Sequence, residues 1–302
     1  AHIDKENLKA YAVRCAWLEP GGSPYLASLR MDQAKTWEEF REACNYSHIP
    51  GENMIWADKE GNIGWQAVGI APIRNNFSGL VPVPGDGSHE WDGYLPIIEK
   101  PHAYNPEQGF LATANQNVTP DDYEHWNAIA FSWSDPYRGD RVNEVLSSGK
   151  KMTMDDMKAL QVDYLSIPAR TLVPYLKDLS FTGTFNEAQK LLSTWDYRLE
   201  PDSIEAAIYV AWENEIGDLA DENFIPSDVK SDIGYLQMKT TIDIIKNPDL
   251  WFEANATQSR DIFLSKAFRS AISNLENTLG NDMSNWQYGQ EKFKHSYMAH
   301  AL

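Results

Sequence analysis

Between residues 53 and 69 the chain reads NMIWADKEGNIGWQAVG, two β-rich apolar runs flanking Asp58-Lys59-Glu60-Gly61-Asn62. That pattern predicts a β-hairpin, with Gly61 able to supply a positive φ at the turn. Earlier, LKAYAVRCAWLEP (8–20) is apolar and β-friendly and is closed by Pro20-Gly21-Gly22, which predicts a strand. The rhythm changes at TWEEFREACNYS (36–47), where Trp37, Phe40 and Cys44 recur at helical spacing. Thr36 with Glu39 three residues on marks a capping box, so an amphipathic helix is expected there. Residues 70–108 are dense in Pro and Gly yet interrupted throughout by apolar and aromatic side chains. This predicts a long ordered loop region, a kind of segment that often carries function.

After Lys150 the apolar period becomes helical. In 153–179 Met157, Leu160, Tyr164 and Leu165 share the spacing, behind a Thr153–Asp156 cap signal. Residues 185–198 and 202–220 predict two more helices, and 260–280 another, ended by Gly280. The expected division is therefore a first part, 1–145, of sheet core with site-forming loops, and a mainly helical part, 146–302. No fixed-period repeat runs along the chain.

Composition adds bounds. The 302 residues suffice for one large domain or two ordinary ones, with an ordinary globular balance of 42% hydrophobic and 23% charged. Eleven Trp and fourteen Tyr suit a wide core or a pocket for an apolar or ring-bearing ligand, without choosing between them. The net charge of −18 repels phosphate backbones and anionic lipid, so neither nucleic acid nor membrane is expected as a partner. No apolar run approaches the ~18 residues that span a bilayer. Cys15 and Cys44 make no zinc spacing, and whether they pair is left open. AHIDKENLKA is polar from its first residue, so no signal peptide opens the chain; a cytosolic protein, a removed leader and an internal piece all fit.

Most standard chemistry is missing. His89, Glu90 and Asp92 lie close together, but no HExxH accompanies them. The acidic turn at 58–62 lacks the EF-hand ligand spacing. No phosphate loop and no G-x-S-x-G occur. Glu90, Asp92, Glu99, Asp121 and Asp122 could furnish two carboxylates for sugar hydrolysis, or be solvated loop acids. Two segments stand out. GFLATANQNVTP (109–120) would place Asn115 and Asn117 on one strand face, either as an ordinary turn or as a neutral amide donor aimed outward. DPYRGDRVNEVL (135–146) puts Arg138 and Arg141 where a loop becomes a helix beginning near Asp140. Asp140 could cap it in a simple salt-bridged start, or an Arg could hold a carboxylate or polar side chain.

The ordered set MIWADKEGNIGWQAVGIAPIR, GLVPVPGDGSHEWDGYLPIIEKPHAYNPEQGFLATANQNVTP, GDRVNEVL, MTMDDMKALQVDYLS, LSTWDYRLEPDSIEAAIYVAW and LGNDMSNWQYGQEKFKHSY resembles the penicillin acylase (penicillin amidase) family of N-terminal-nucleophile hydrolases. The resemblance runs over nearly the whole chain. It implies an α+β fold, the αββα four-layer sandwich present in part, with a largely helical second half. It implies that Asn117 donates its amide N–H to a tetrahedral oxyanion, with Asn115 as neighbouring support. A pre-aimed neutral donor suits that task because it stabilises developing charge without bringing a charge of its own. Arg141, in Asp140-Arg141-Val142, is implied to orient polar groups around the nucleophile.

The resemblance also implies partners. The family nucleophile is an N-terminal Ser, sometimes Cys, freed by self-cleavage, with its own α-amino group as base. Ala1 offers no such atom, so the nucleophile and the N-terminal (alpha) chain are expected upstream, and further large (beta) chain segments beyond KHSYMAHAL. The 302 residues alone are then expected to be inactive. The substrate would be a small-molecule amide of β-lactam, N-acyl homoserine lactone or lipopeptide type, and the location periplasmic or secreted. Some members bind calcium; the corresponding positions here fall on Gly79 and Asn127, so no such site and no cofactor are expected. Two other readings remain at this stage, a secreted glycoside hydrolase using paired carboxylates and a catalytically dead binding module of the same fold.

Overall fold

The computed structural model describes residues 2–129, 132–253 and 255–293. The chain divides into two compact units, Ala1–Ser134 and Asp135–Leu302. In the first, the elements are β1 (His2–Asp4), β2 (Lys9–Tyr11), α1 (Ser28–Met31), α2 (Trp37–Cys44), β3 (Asn53–Ala57), β4 (Ile63–Ala67), β5 (Ala71–Pro72), β6 (Tyr94–Leu95) and β7 (His102–Tyr104). They form three small antiparallel sheets, β1-β2, β3-β4-β7 and β5-β6.

The hairpin forms as its pattern requires. Trp65 pairs with Ile55 across β3 and β4. Asp58 closes the turn by accepting the Asn62 backbone N–H and side-chain amide, each at 2.8 Å, while Gly61 takes φ 89°. The turn acid thus serves the turn. On β3, Met54 and Trp56 face inward and pack with Trp37 and Phe40 of α2. The approach is close: a Cβ on Gly64 would lie 2.5 to 2.9 Å from the Trp37 ring. Thr36 accepts from the Glu39 N–H, but the Glu39 carboxylate reaches one residue further back, to Lys35 N–H, so the expected capping box is half formed. The strand expected over 8–20 shrinks to β2 because the apolar residues after it find no partner strand among the described residues; Ala16–Leu18 forms a 3₁₀ turn instead.

Cations tie the Pro/Gly-rich segment to the sheet. The Gln66 side chain, fully buried on β4, donates to the Ala67 and Ile97 carbonyls and accepts from Arg41 Nε at 2.9 Å. Lys100 Nζ donates to the carbonyls of Val68 (2.7 Å) and Gly69 (3.1 Å), with no carboxylate paired to it among the described residues. Burial pushes its pKa down to about 8. An unfolded lysine titrates near ~10.4, so between these values the unfolded chain holds a proton the folded chain has released. Stability from this group therefore rises with pH across that window and is lowest below it. Lys100→Met should remove the rise: the gap between wild-type and variant urea midpoints is expected to change from pH 7 to pH 10. A constant gap would refute the assignment.

The cysteines do not pair. Cys15 is exposed and Cys44 is buried, with burial pushing its thiol up to about 12. A chromogenic disulfide reagent is expected to modify only Cys15 in the folded chain, and Cys44 once urea is added. Equal reaction rates in native buffer would contradict that burial.

The second unit is helical: α3 (Tyr137–Leu146), α4 (Met154–Gln161), α5 (Ile167–Leu172), α6 (Thr184–Thr194), α7 (Ile204–Phe224), α8 (Met238–Lys246), α9 (Pro248–Trp251) and α10 (Ala256–Leu279). Residues 206–212 of α7 are all buried, so this stretch is covered on every side. α10 lies along it, presenting Phe263, Leu264, Ala267, Phe268, Ala271, Ile272 and Leu275. Trp212 is fully buried, packs edge-on to Phe268, and donates its indole N–H to the Leu264 carbonyl at 3.3 Å. α10 ends at Gly280 with φ 93°, as its position foretold. The segment 153–179 differs from expectation. α4 has a full Thr153–Asp156 capping box but stops at Gln161, and Leu165 bridges to Arg198. Ser166 caps α5, and a 3₁₀ turn, Val173–Asp178, follows. α3 starts at Tyr137, earlier than Asp140, which sits in the first turn rather than at the cap.

Candidate active site

The Asn-rich segment is not a strand end. Residues 114–116 form a bend, and Asn115 takes φ 67°, a left-handed conformation that Asn tolerates. The two asparagines therefore do not share a strand face. Gln116 builds the bend with its side chain: Oε1 accepts from Ala114 N–H (2.6 Å) and Nε2 donates to the Ala112 carbonyl (3.3 Å). The Asn115 carbonyl accepts from Ser134 N–H at 3.2 Å, tying the end of this unit to the bend.

Asn117 is exposed, and its Oδ1 accepts from Thr119 N–H at 3.0 Å. That bond decides the amide orientation, since only oxygen can accept from a backbone N–H. Nδ2 is left as an outward donor with no partner among the described residues. The following loop carries an aromatic series: Tyr123 packs edge-on to His125 and Trp126, and Trp126 to Trp133 at 6.2 Å. Nothing in the spacing of these rings distinguished them from core aromatics.

Arg141 lies in the second unit and is placed separately. Its Nε (2.9 Å) and Nη2 (2.6 Å) donate to one oxygen of Asp163, and Nη1 stands 3.6 Å from Glu144. The other Asp163 oxygen accepts from Arg198 Nη1 (3.0 Å) and Leu165 N–H (3.1 Å). Arg170 grips Glu144 with two bonds of 2.9 and 3.0 Å, and Arg198 reaches Glu200 at 3.1 Å. Six side chains thus alternate in sign from α5 through α3 to the segment before α7. Burial alone would raise the Asp163 pKa, but the bonds from Arg141, Leu165 and Arg198 outweigh it and hold the carboxyl below its usual range. Arg138 on the same helix also has its own partner.

Other candidates disperse. Ser88 Oγ sits 2.6 Å from Asp86 and 2.8 Å from His89 Nδ1. With its one proton on Asp86, the hydroxyl accepts from the imidazole, which is the reverse of nucleophile activation. Glu90 pairs with Arg14, Asp92 accepts from Asn75, and all five acids are exposed, Glu99 at the end of a 3₁₀ turn and Glu90, Asp92, Asp121 and Asp122 outside helices and strands. Asn127 donates to Asn75 at 2.7 Å and Gly79 lies against the Arg74 side chain, so neither position offers a carboxylate to calcium. Among the described residues, no group of three His, Cys, Asp or Glu could hold a metal, and no helix is long and apolar enough to cross a membrane.

The chain is α+β, with a bent, amide-bearing loop in one unit and an Arg-bearing helix opening a helical unit, and its fold matches that of a solved penicillin acylase. A solved thermostable penicillin G acylase from Alcaligenes faecalis matches 94% of this chain and 57% of its own, with TM-score 0.75 at 21% identity. The penicillin amidase family profile matches residues 3–302, and the chain belongs to that family. It is 29% identical over 290 residues to the acyl-homoserine lactone acylase QuiP of Pseudomonas fluorescens, covering 86% of this chain and 35% of that protein. It is 30% identical over 190 residues to a penicillin acylase 2 proenzyme of a Pseudomonas species, covering 62% and 24%. The chain thus spans about a third or less of the length of these curated relatives.

Proposed function

We propose that this chain supplies the oxyanion-binding part of an acylase that hydrolyses the side-chain amide of a small molecule. The observation that carries the reading is Asn117, an exposed residue whose carboxamide oxygen is held by Thr119 N–H and whose Nδ2 has no partner among the described residues. Attack on an amide carbonyl builds negative charge on its oxygen, and a donor already oriented needs no reorganisation at that moment. Family membership supplies the reaction class, and Arg141 orients polar groups near the nucleophile. The nucleophile is carried by a part of the longer protein outside these 302 residues, which its relatives' lengths accommodate. The chain by itself is expected not to turn over. The chemistry runs without a cofactor, and a periplasmic or secreted location belongs to the same reading.

The relatives are named for acyl-homoserine lactones and penicillins, so the test is a panel. The complete protein is incubated with N-acyl homoserine lactones of increasing chain length, penicillin G and aryl glycosides, and the released amine or sugar is quantified. Amine release from at least one amide is expected. Sugar release without amine release would overturn the proposal in favour of a glycosidase.

A further inference from the structure

Arg141 has five N–H donors, and only two are spent on Asp163. Both come from its Nε side and converge on a single carboxylate oxygen, while Nη1 makes a longer ion pair of 3.6 Å with Glu144. Among the described residues, Asp163 and Glu144 are the partners of this guanidinium. Asp163 cannot swing with its guest. Its second oxygen is held by Arg198 Nη1 and by Leu165 N–H, and its side chain is only 10% exposed. A long arginine left to itself samples many rotamers. Here one edge is gripped by an anchored carboxylate, and the remaining donors point away from it in a fixed plane.

We propose that Asp163 is the positioning residue for Arg141: it holds the guanidinium by its Nε edge so that the Nη hydrogens not directed at Asp163 or Glu144 engage a polar group of the reacting complex. The proposal rests on the reading of Arg141 as an acylase site residue. It adds a residue twenty-two positions away, across the break between α4 and α5, that no local motif marks. Arg198 and Leu165 act one step further out by fixing Asp163. Geometry of this kind around a working group is commonly worth 10 to 100-fold when its anchor is removed, on the order seen for outer partners of metal ligands.

The test is a double-mutant cycle in the complete acylase, using Asp163→Ala, Arg141→Ala and the pair. Asp163→Ala is expected to lower kcat/KM by about 10 to 100-fold, mostly in kcat. In the Arg141→Ala background the same change should cost less than about threefold, because the group it positions is already gone. A purely structural Asp163 would instead lower Tm while leaving kcat per folded enzyme intact, or multiply with Arg141→Ala; either result overturns the proposal. Should Asp163→Ala not fold, Asp163→Asn keeps the shape and an acceptor oxygen but loses the charge, and the same kcat loss and non-additivity are expected. Asn117→Ala separates the two readings. Full activity in that variant removes the acylase site itself. Loss of activity there, with kcat unchanged in both Asp163 variants, removes only the positioning role.

Discussion

If Asn117 fills the proposed oxyanion role, Asn117→Ala in the complete protein is expected to reduce kcat for amide hydrolysis by about 10²–10³-fold, the loss typical of one oxyanion donor, equivalent to about 3 kcal/mol of barrier. KM should move little, since the donor meets full negative charge only in the transition state. The fold should be unaffected, because the side chain is exposed and makes one hydrogen bond, to Thr119 N–H. Steady-state kinetics on purified wild type and variant, with Tm as the folding control, decide the matter. A variant retaining a third or more of wild-type kcat would mean the oxyanion is held by other groups.

The second large effect is structural. Trp212→Ala should destabilise the helical unit by about 3–5 kcal/mol, the range for deleting a large buried aromatic. Three losses combine. The indole is fully buried between α7 and α10, its edge contact with Phe268 disappears, and its N–H no longer reaches the Leu264 carbonyl. Urea unfolding of the 302-residue chain followed by circular dichroism at 222 nm reads the helical unit directly. A shift worth less than about 1 kcal/mol would mean the core collapses around the gap.

Local patterning made the hairpin, the Thr153 capping box, α6, α7 and the Gly280 stop of α10 legible in the sequence. Each rests on residues a few positions apart: Asp58 with Asn62, Thr153 with Asp156, Gly280 on its own backbone. The failures are where tertiary partners decide. Residues 8–20 have strand composition, but only Lys9–Tyr11 finds a neighbour to pair with. The helical spacing of Met157, Leu160, Tyr164 and Leu165 runs through a break, because Leu165 pairs with Arg198 thirty-three residues on. The sequence pattern does not announce α8, whose Ile242, Ile244 and Ile245 are buried.

The candidate site was legible unevenly. Asn117 stands out through its neighbourhood of Ala114, Asn115 and Pro120 and through the family resemblance, yet the backbone bends where the spacing predicts a strand. The bend depends on Gln116 folding back onto Ala112 and Ala114, which no periodicity reveals. Arg141 was marked by Asp140-Arg141-Val142. Asp163 was not, because an acid between two helices reads like any solvated loop residue until the two guanidinia that claim it are placed in space.

The absence of a side chain at Gly64 has a consequence for how this sequence can change. Position 64 sits under the six-membered ring of Trp37, and Trp37 in turn stacks on Tyr104 at 5.3 Å. Any heavier residue at 64 requires a smaller one at 37 in the same step, and that vacates the ground on which Tyr104 rests. The three positions must therefore drift together or stay still, and a lineage that has replaced one should carry compensating replacements at the others.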